Sequence, residues 1–225
     1  MRMLCGTDFS SHANHAALVA ASLAKHPQGK LTLTHVLDLS RYSHPHDELV
    51  AHLRYSRHNK LAVLAERACQ RGAQVQTQLA EGRPGTKLAE LALDLDAQLL
   101  LLGSAGPISP SDWFTGSTAD QVAQSSPTPI LVIREPDALE SWAQHARPLR
   151  IVVGYDFSSD SEAALQWAGS LREVSACDLT VVHVASPMNA YRPRLVPGMS
   201  PLYYPSGLRL FLQKELERKC GAILG

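Results

Sequence analysis

Gly6-Thr7-Asp8-Phe9-Ser10-Ser11 recurs, 148 positions on, as Gly154-Tyr155-Asp156-Phe157-Ser158-Ser159, with five of the six positions identical. Each copy follows a short apolar run, Met3-Leu4-Cys5 or Ile151-Val152-Val153, and precedes an alanine-containing stretch of helical period. The serines at the junction are good helix N-caps, so the hexapeptide reads as the turn between a strand and a helix. The same offset aligns Leu31-Thr32-Leu33-Thr34-His35-Val36 with Leu179-Thr180-Val181-Val182-His183-Val184. Ala16-Ala17-Leu18 aligns with Ala163-Ala164-Leu165 after a slip of one residue inside the helix. A duplicated strand–helix–strand unit accounts for all three matches.

Working outward from the first copy, strand-length apolar runs alternate with helical periods, the pattern of βαβ units around a parallel sheet. Five strands are expected at residues 1–6, 30–37, 74–80, 97–103 and 129–134. Gln98-Leu99-Leu100-Leu101-Leu102 is apolar without a break, as a strand covered on both faces must be. Helices are expected over 13–26, 47–71, 84–95 and 118–125, the third opened by Pro84 and the fourth by Ser117. The fold class is therefore α/β, an open five-stranded parallel sheet with helices on both faces, followed by a partial second copy. Residues 1–134 form the first domain, 135–148 read as a linker bracketed by Pro136 and Pro148, and 149–225 form the second domain. That second copy is expected to supply a strand, a helix, a strand, a proline-rich loop over 186–205 and a helix over 206–219.

Lysine plus arginine and aspartate plus glutamate both number 21, which removes the broad positive field that duplex nucleic acid or an anionic membrane would require. Cys5, Cys69, Cys177 and Cys220 form no C-x-x-C pair and are too few for a secreted disulfide scaffold. Asp8 interrupts the N-terminus before an export signal could form, and no apolar run reaches membrane-spanning length. The expected setting is the cytoplasm.

An open parallel sheet places its chemistry at the carboxyl ends of its strands. There Asp8 follows the first strand, and the loop after the fourth runs Gly103-Ser104-Ala105-Gly106, with Gly116-Ser117-Thr118 opening the next helix. Glycines let backbone amides approach phosphate oxygens, and a hydroxyl at a helix N-terminus adds a donor at the positive end of the dipole. These residues form an anion cradle in outline. Gly103-x2-Gly106-x9-Gly116-Ser117 resembles, position for position, the ATP-binding pattern of the universal stress proteins. The similarity covers residues 1–134, including His35-Val36 and Pro129-Ile130-Leu131-Val132-Ile133, and then about half of a second copy. It implies an adenine nucleotide alpha-hydrolase-like fold binding ATP, with Mg²⁺. Thr7, Asp8 and Val36 would lie against the nucleoside, and Gly103, Gly106, Gly116, Ser117 and Thr118 against the phosphates. The resemblance also implies a homodimer paired through the last strand, Ile130, Leu131, Val132 and Ile133. Many members carry a basic residue just after the second glycine. Here the sequence is Pro107-Ile108-Ser109-Pro110, followed by Asp112.

Other groups have blander readings. Gly82-Arg83-Pro84-Gly85-Thr86-Lys87 lacks the spacer of a P-loop and reads as the turn before a helix. His44, His46, Asp47 and His52 offer no closed zinc ligand set. His12 and His15 share one helix face and read as surface histidines. Asp8, Ser10 and His12 are too close in sequence for a hydrolytic triad and lack the nucleophile-elbow turn. No catalytic residue and no resident metal ligand is assigned. The expected function is a stress-response regulatory module that binds ATP with little or no turnover and acts through an unknown protein partner. The alternative is an interaction module of the same fold that binds no nucleotide. A second copy without a counterpart of 103–117 leaves one nucleotide site per chain.

Overall fold

The computed structural model describes residues 1–25, 29–43, 45–104, 117–184 and 206–224. Contacts divide the chain into two units, 1–144 and 145–225.

In the first unit the order is β1 (Arg2–Gly6), α1 (Ser11–Ala24), β2 (Lys30–Leu37), α2 (Asp47–Cys69), β3 (Gln74–Glu81), α3 (Pro84–Asp94), β4 (Leu99–Gly103), α4 (Ser117–Ser125), β5 (Ile130–Ile133) and α5 (Pro136–Ala143). One 3-10 turn, Leu39–Arg41, follows β2. The five strands form one parallel sheet in the order β3-β2-β1-β4-β5. The chain therefore reverses direction across the sheet between β1 and β4. Leu99 to Leu102 are all buried because helices cover both faces of β4. One face packs Leu4, Val36, Leu100 and Leu102 against Leu88 and Leu91 of α3 and Ala119 and Val122 of α4. The opposite face carries α1 and α2.

Local chemistry starts each helix. Ser10 caps α1 by accepting from the Ala13 N–H at 3.2 Å, and His46 caps α2 by accepting from the Leu49 N–H through Nδ1 at 3.1 Å. Pro84 occupies the first turn of α3, after Gly82 at φ +136°, a conformation that favours glycine.

Residues 135–148 differ from the expected linker, since 136–143 are helical and belong to the first unit. The cause lies in α1, whose Ala13, Ala16, Ala17, Leu18, Val19, Ala20, Ala21, Leu23 and Ala24 are all buried. A helix apolar on nearly every side needs more cover than a sheet and one neighbour provide. α5 supplies that cover and packs along α1. Its Trp142 is 1% exposed, and its Glu140 accepts from the Arg71 guanidinium at 3.1 Å, just beyond the end of α2.

The second unit contains β6 (Leu149–Gly154), α6 (Ser159–Ser170), β7 (Cys177–Val182) and α7 (Ser206–Leu224). β6 and β7 pair in parallel from Leu149↔Cys177 to Gly154↔Val182. Val153, Tyr155, Leu165 and Ala168 form its core, joined by Leu216 and Ile223 of α7. Glu162 ties the helices together, accepting from the Lys219 ammonium and from the Tyr155 hydroxyl. The proline-rich loop expected at 186–205 lies outside the described residues.

Candidate functional site

A cleft of about 490 Å³ opens at the carboxyl ends of β1, β2 and β4. That is the point where the strand order reverses, so loops leaving β1 and β4 diverge to opposite faces and leave a crevice between them. Its floor comes from Gly6 and Thr7 at the end of β1, Thr34 to Leu37 of β2 and Leu102 to Ser104 of β4. Asp8, Ser10 and His12 form one wall, and Pro84, Leu88, Thr118 and Ala119 another. Asp38, Arg41, Tyr42 and Arg57 also line the cleft.

The turn out of β1 is held in a left-handed conformation at Phe9, φ 67°. A bulky side chain there costs about 1–3 kcal/mol, so the surroundings must enforce it. The Phe9 N–H donates to Thr7 Oγ1 at 3.0 Å, and the Ser10 N–H donates to Asp8 Oδ1 at 2.9 Å. Beneath the turn, His35 Nδ1 lies 2.7 Å from the Thr7 carbonyl. A carbonyl only accepts, so Nδ1 carries the proton. Burial pushes His35 below its ordinary pKa, against the opposing effect of that hydrogen bond. The Phe9 and His35 rings stack at 4.6 Å. The second unit repeats this arrangement: Phe157 has φ 66°, His183 Nδ1 sits 2.7 Å from the Tyr155 carbonyl, and the Phe157 and His183 rings lie 4.9 Å apart. The turn is thus part of the duplicated scaffold and aims the aspartate that precedes it.

Two hydroxyls in the cleft have no hydrogen-bond partner among the described residues. Thr34 Oγ1 is fully buried, and Ser104 Oγ belongs to a residue only 4% exposed. An unsatisfied buried hydroxyl costs about 1–3 kcal/mol, which a bound polar ligand would recover. Cys5, also buried, has its thiol pushed up to about 12 by desolvation. That makes it a packing residue and an inert one.

Thr7, Asp8, Val36, Gly103 and Thr118, all expected at the site from sequence, line this one cleft. Ser117 begins α4. Gly106 and Gly116 lie outside the described residues. At Gly103 the structure supplies a packing reason for glycine, because an added Cβ would fall 2.6 Å from the backbone of His12 and Ala13 at the start of α1. His12, expected on the surface, is half-buried and lines the cleft, whereas His15 is exposed. Sequence reading missed Thr34, Ser104, Arg41, Tyr42 and Arg57. For Thr34 a signal was available, since the second copy has Val182 at the matching position. A lone hydroxyl in an otherwise apolar pairing marks the difference between the copies. No such signal exists for Arg57, one of several basic residues along α2. Among the described residues, no group of three or more His, Cys, Asp or Glu side chains could hold a metal, and no helix is long and apolar enough to cross a membrane.

The model of the universal stress protein family matches residues 1–134 and 149–207. The chain belongs to the universal stress protein family. Universal stress protein YxiE of Bacillus subtilis is 28% identical over 145 residues, covering 59% of this chain and 98% of that protein. A universal stress protein of Thermus aquaticus is 29% identical over 135 residues, covering 59% and 97%. Both relatives match a single-domain length of this chain. A crystal structure of a universal stress protein from Archaeoglobus fulgidus superposes with a TM-score of 0.74 at 18% identity, covering 98% of this chain and 74% of that one, which speaks for the fold.

Proposed function

We propose that the first unit is an adenine-nucleotide-binding regulatory module, with ATP and Mg²⁺ as its ligand, and that it turns nucleotide over little or not at all. The observation that carries this reading is the pair of buried hydroxyls, Thr34 and Ser104, with no hydrogen-bond partner among the described residues, inside a cleft at the strand-order reversal of a universal stress protein fold. Asp8 and Val36 would face ribose and adenine, with Thr7 beneath them. The backbone of Gly103, Gly106 and Gly116 and the hydroxyls of Ser117 and Thr118 would take the phosphates at the positive end of α4. Mg²⁺ would arrive on the phosphate oxygens; of the two carboxylates that line the cleft, Asp38 is engaged by Arg41 and Asp8 is engaged by no arginine among the described residues. Donors that hold phosphates equally in ground and transition states bind without accelerating hydrolysis, hence the absence of a catalytic assignment.

Thr34→Val tests the reading directly. Valine has nearly the same shape and is the residue of the second copy, so the ligand-free protein should become more stable by about 1 kcal/mol while ATP affinity falls. Calorimetric titration of wild type and variant with ATP and Mg²⁺, paired with thermal melts, reads both effects. No saturable binding by the wild type at millimolar ATP would sink the proposal.

We propose further that the protein is a homodimer paired through β5. The Pro129 and Ile133 carbonyls accept from the N–H groups of Leu100 in β4 and of Ser104 just after it. By the alternation of a parallel strand, Ile130 and Val132 then turn their backbone groups to the open edge, while Leu131 faces inward. Val132→Pro removes one of those edge donors and leaves the β4 ladder intact. Sedimentation velocity should show a dimer for the wild type and a shift toward monomer for the variant. A concentration-independent wild-type monomer would count against the pairing.

A further inference from the structure

Four fully charged side chains line the cleft: Asp8, Asp38, Arg41 and Arg57. Arg41 is engaged by Asp38, Nε to Oδ2 at 3.2 Å, and Asp38 also accepts from the Ser40 N–H and hydroxyl. Asp8 accepts from the Ser10 amide. On α2, Arg54 is taken by Glu81 at 2.6 Å. Arg57, one turn along, has no carboxylate in ion-pair range among the described residues, and its Nε is buried with no hydrogen-bond partner there. Its guanidinium stands 6.0 Å from the centre of the Phe9 ring, with the Lys60 ammonium 5.6 Å from the same centre. Phe9 in turn packs against His35, so Arg57 stands beside the turn that carries Asp8. Guanidinium stays protonated throughout the physiological range, and a buried N–H of such a group without an acceptor is costly. The residues 104–116, by contrast, contain no lysine or arginine, and their one charged side chain is Asp112. A phosphorylated ligand in this cleft would find no cation in its glycine loop.

We propose that Arg57 is the phosphate-binding cation of the cleft and takes the phosphate nearest the nucleoside, from the α2 side. The planar guanidinium fork matches two phosphate oxygens and supplies the charge that the loop lacks. Its place beside Phe9, His35 and Asp8 puts it next to the nucleoside end of the proposed ligand and across β1 from α4, which is why the first phosphate is its target. The inference rests on the nucleotide reading given above. It adds a selectivity: affinity for AMP over adenosine depends on Arg57.

The test is calorimetric titration of the full chain with adenosine, AMP and ATP, for wild type, Arg57→Gln, Arg57→Lys and, as a control outside the cleft, Arg54→Gln. Arg57→Gln should weaken AMP and ATP by about tenfold or more and leave adenosine within twofold. Arg57→Lys should recover part of the loss, and Arg54→Gln should behave as wild type. Equal weakening of adenosine and AMP would show that Arg57 serves only the packing of Phe9 and would overturn the proposal. A loss confined to ATP would overturn the assignment to the first phosphate. Should Arg57→Gln fail to fold, by circular dichroism, Arg57→Lys must still bind AMP less well relative to adenosine, and unchanged AMP affinity refutes the idea. A wild type that binds none of the three brings down the nucleotide reading itself. A wild type that binds all three without preference refutes Arg57 alone.

Discussion

Gly103→Val is expected to abolish nucleotide binding and to cost the first unit about 3 kcal/mol or more of stability. At Gly103 an added Cβ would lie 2.6 Å from Ala13 N and from His12 C, and 2.8 Å from His12 O. These are backbone atoms and cannot rotate away. Either β4 or the first turn of α1 must shift, and both carry cleft residues: Leu102, Gly103 and Ser104 on one side, Ser10, His12 and Ala13 on the other. β-branching adds a second clash, so valine should be worse than alanine, for which about 1–3 kcal/mol is expected. The control is Gly154→Ala in the second unit, where no described residue lies within 4 Å of the added carbon and the effect should be small. Thermal melts of the three variants order them. A Gly103→Val protein with wild-type melting and wild-type ATP affinity would mean that α1 does not approach β4 as described.

Trp142→Ala should lower the melting temperature of the first unit by roughly 10 °C. Truncating a buried tryptophan costs about 3–5 kcal/mol, and a domain of this size loses roughly 3 °C per kcal/mol. The reference is the lower end of that range, because Trp142 Nε1 has no partner among the described residues and its removal relieves one unsatisfied donor. Were 135–148 a plain tether, the substitution would change almost nothing. Glu140→Gln, which loosens the contact to Arg71 on a partly exposed pair, should cost far less than the tryptophan. Melting followed by far-UV circular dichroism, whose signal does not depend on the substituted ring, separates the two outcomes.

The segment carrying Trp142 shows why sequence reading went astray there. Eight helical residues that begin with one proline and stop short of another, with mixed polarity, have no local signature to set them apart from a linker. The pointer lay in α1, where nine buried positions out of fourteen leave too little polar face for a helix with one exposed side. That excess of apolar surface announces a missing neighbour without saying which segment provides it. The site divides in the same way. Asp8 and Gly103 stand in short motifs with a recognisable spacing, so their place at the strand ends beside the cleft was legible. Arg57 reaches the cleft only because α2 lies over β2 and turns that residue toward Phe9, and nothing in the spacing of basic residues along α2 distinguishes it from Arg54.

Gly6 and Gly154 measure how far local sequence reaches. Both end a first strand, both precede an aspartate–phenylalanine–serine turn, and both turns adopt the same left-handed phenylalanine and the same histidine-to-carbonyl hydrogen bond. Sequence by itself determined the turns and the helix caps at Ser10 and Ser158, because hydrogen bonds and steric limits within a few residues suffice to specify them, whereas each histidine reaches its carbonyl from 28 residues further along. A Cβ on Gly6, however, would meet Leu102 at 2.8 Å and Leu88 at 2.9 Å, whereas one on Gly154 would meet nothing within 4 Å among the described residues. Those neighbours come from β4 and α3, more than eighty residues further along. Only the tertiary structure decided that β1 lies beside β4, that a cleft opens at their carboxyl ends and that Thr34 and Ser104 end up buried in it with no partner among the described residues. Burial and close contact depend on which distant segments pack together, and two identical turns acquire different surroundings when different segments arrive.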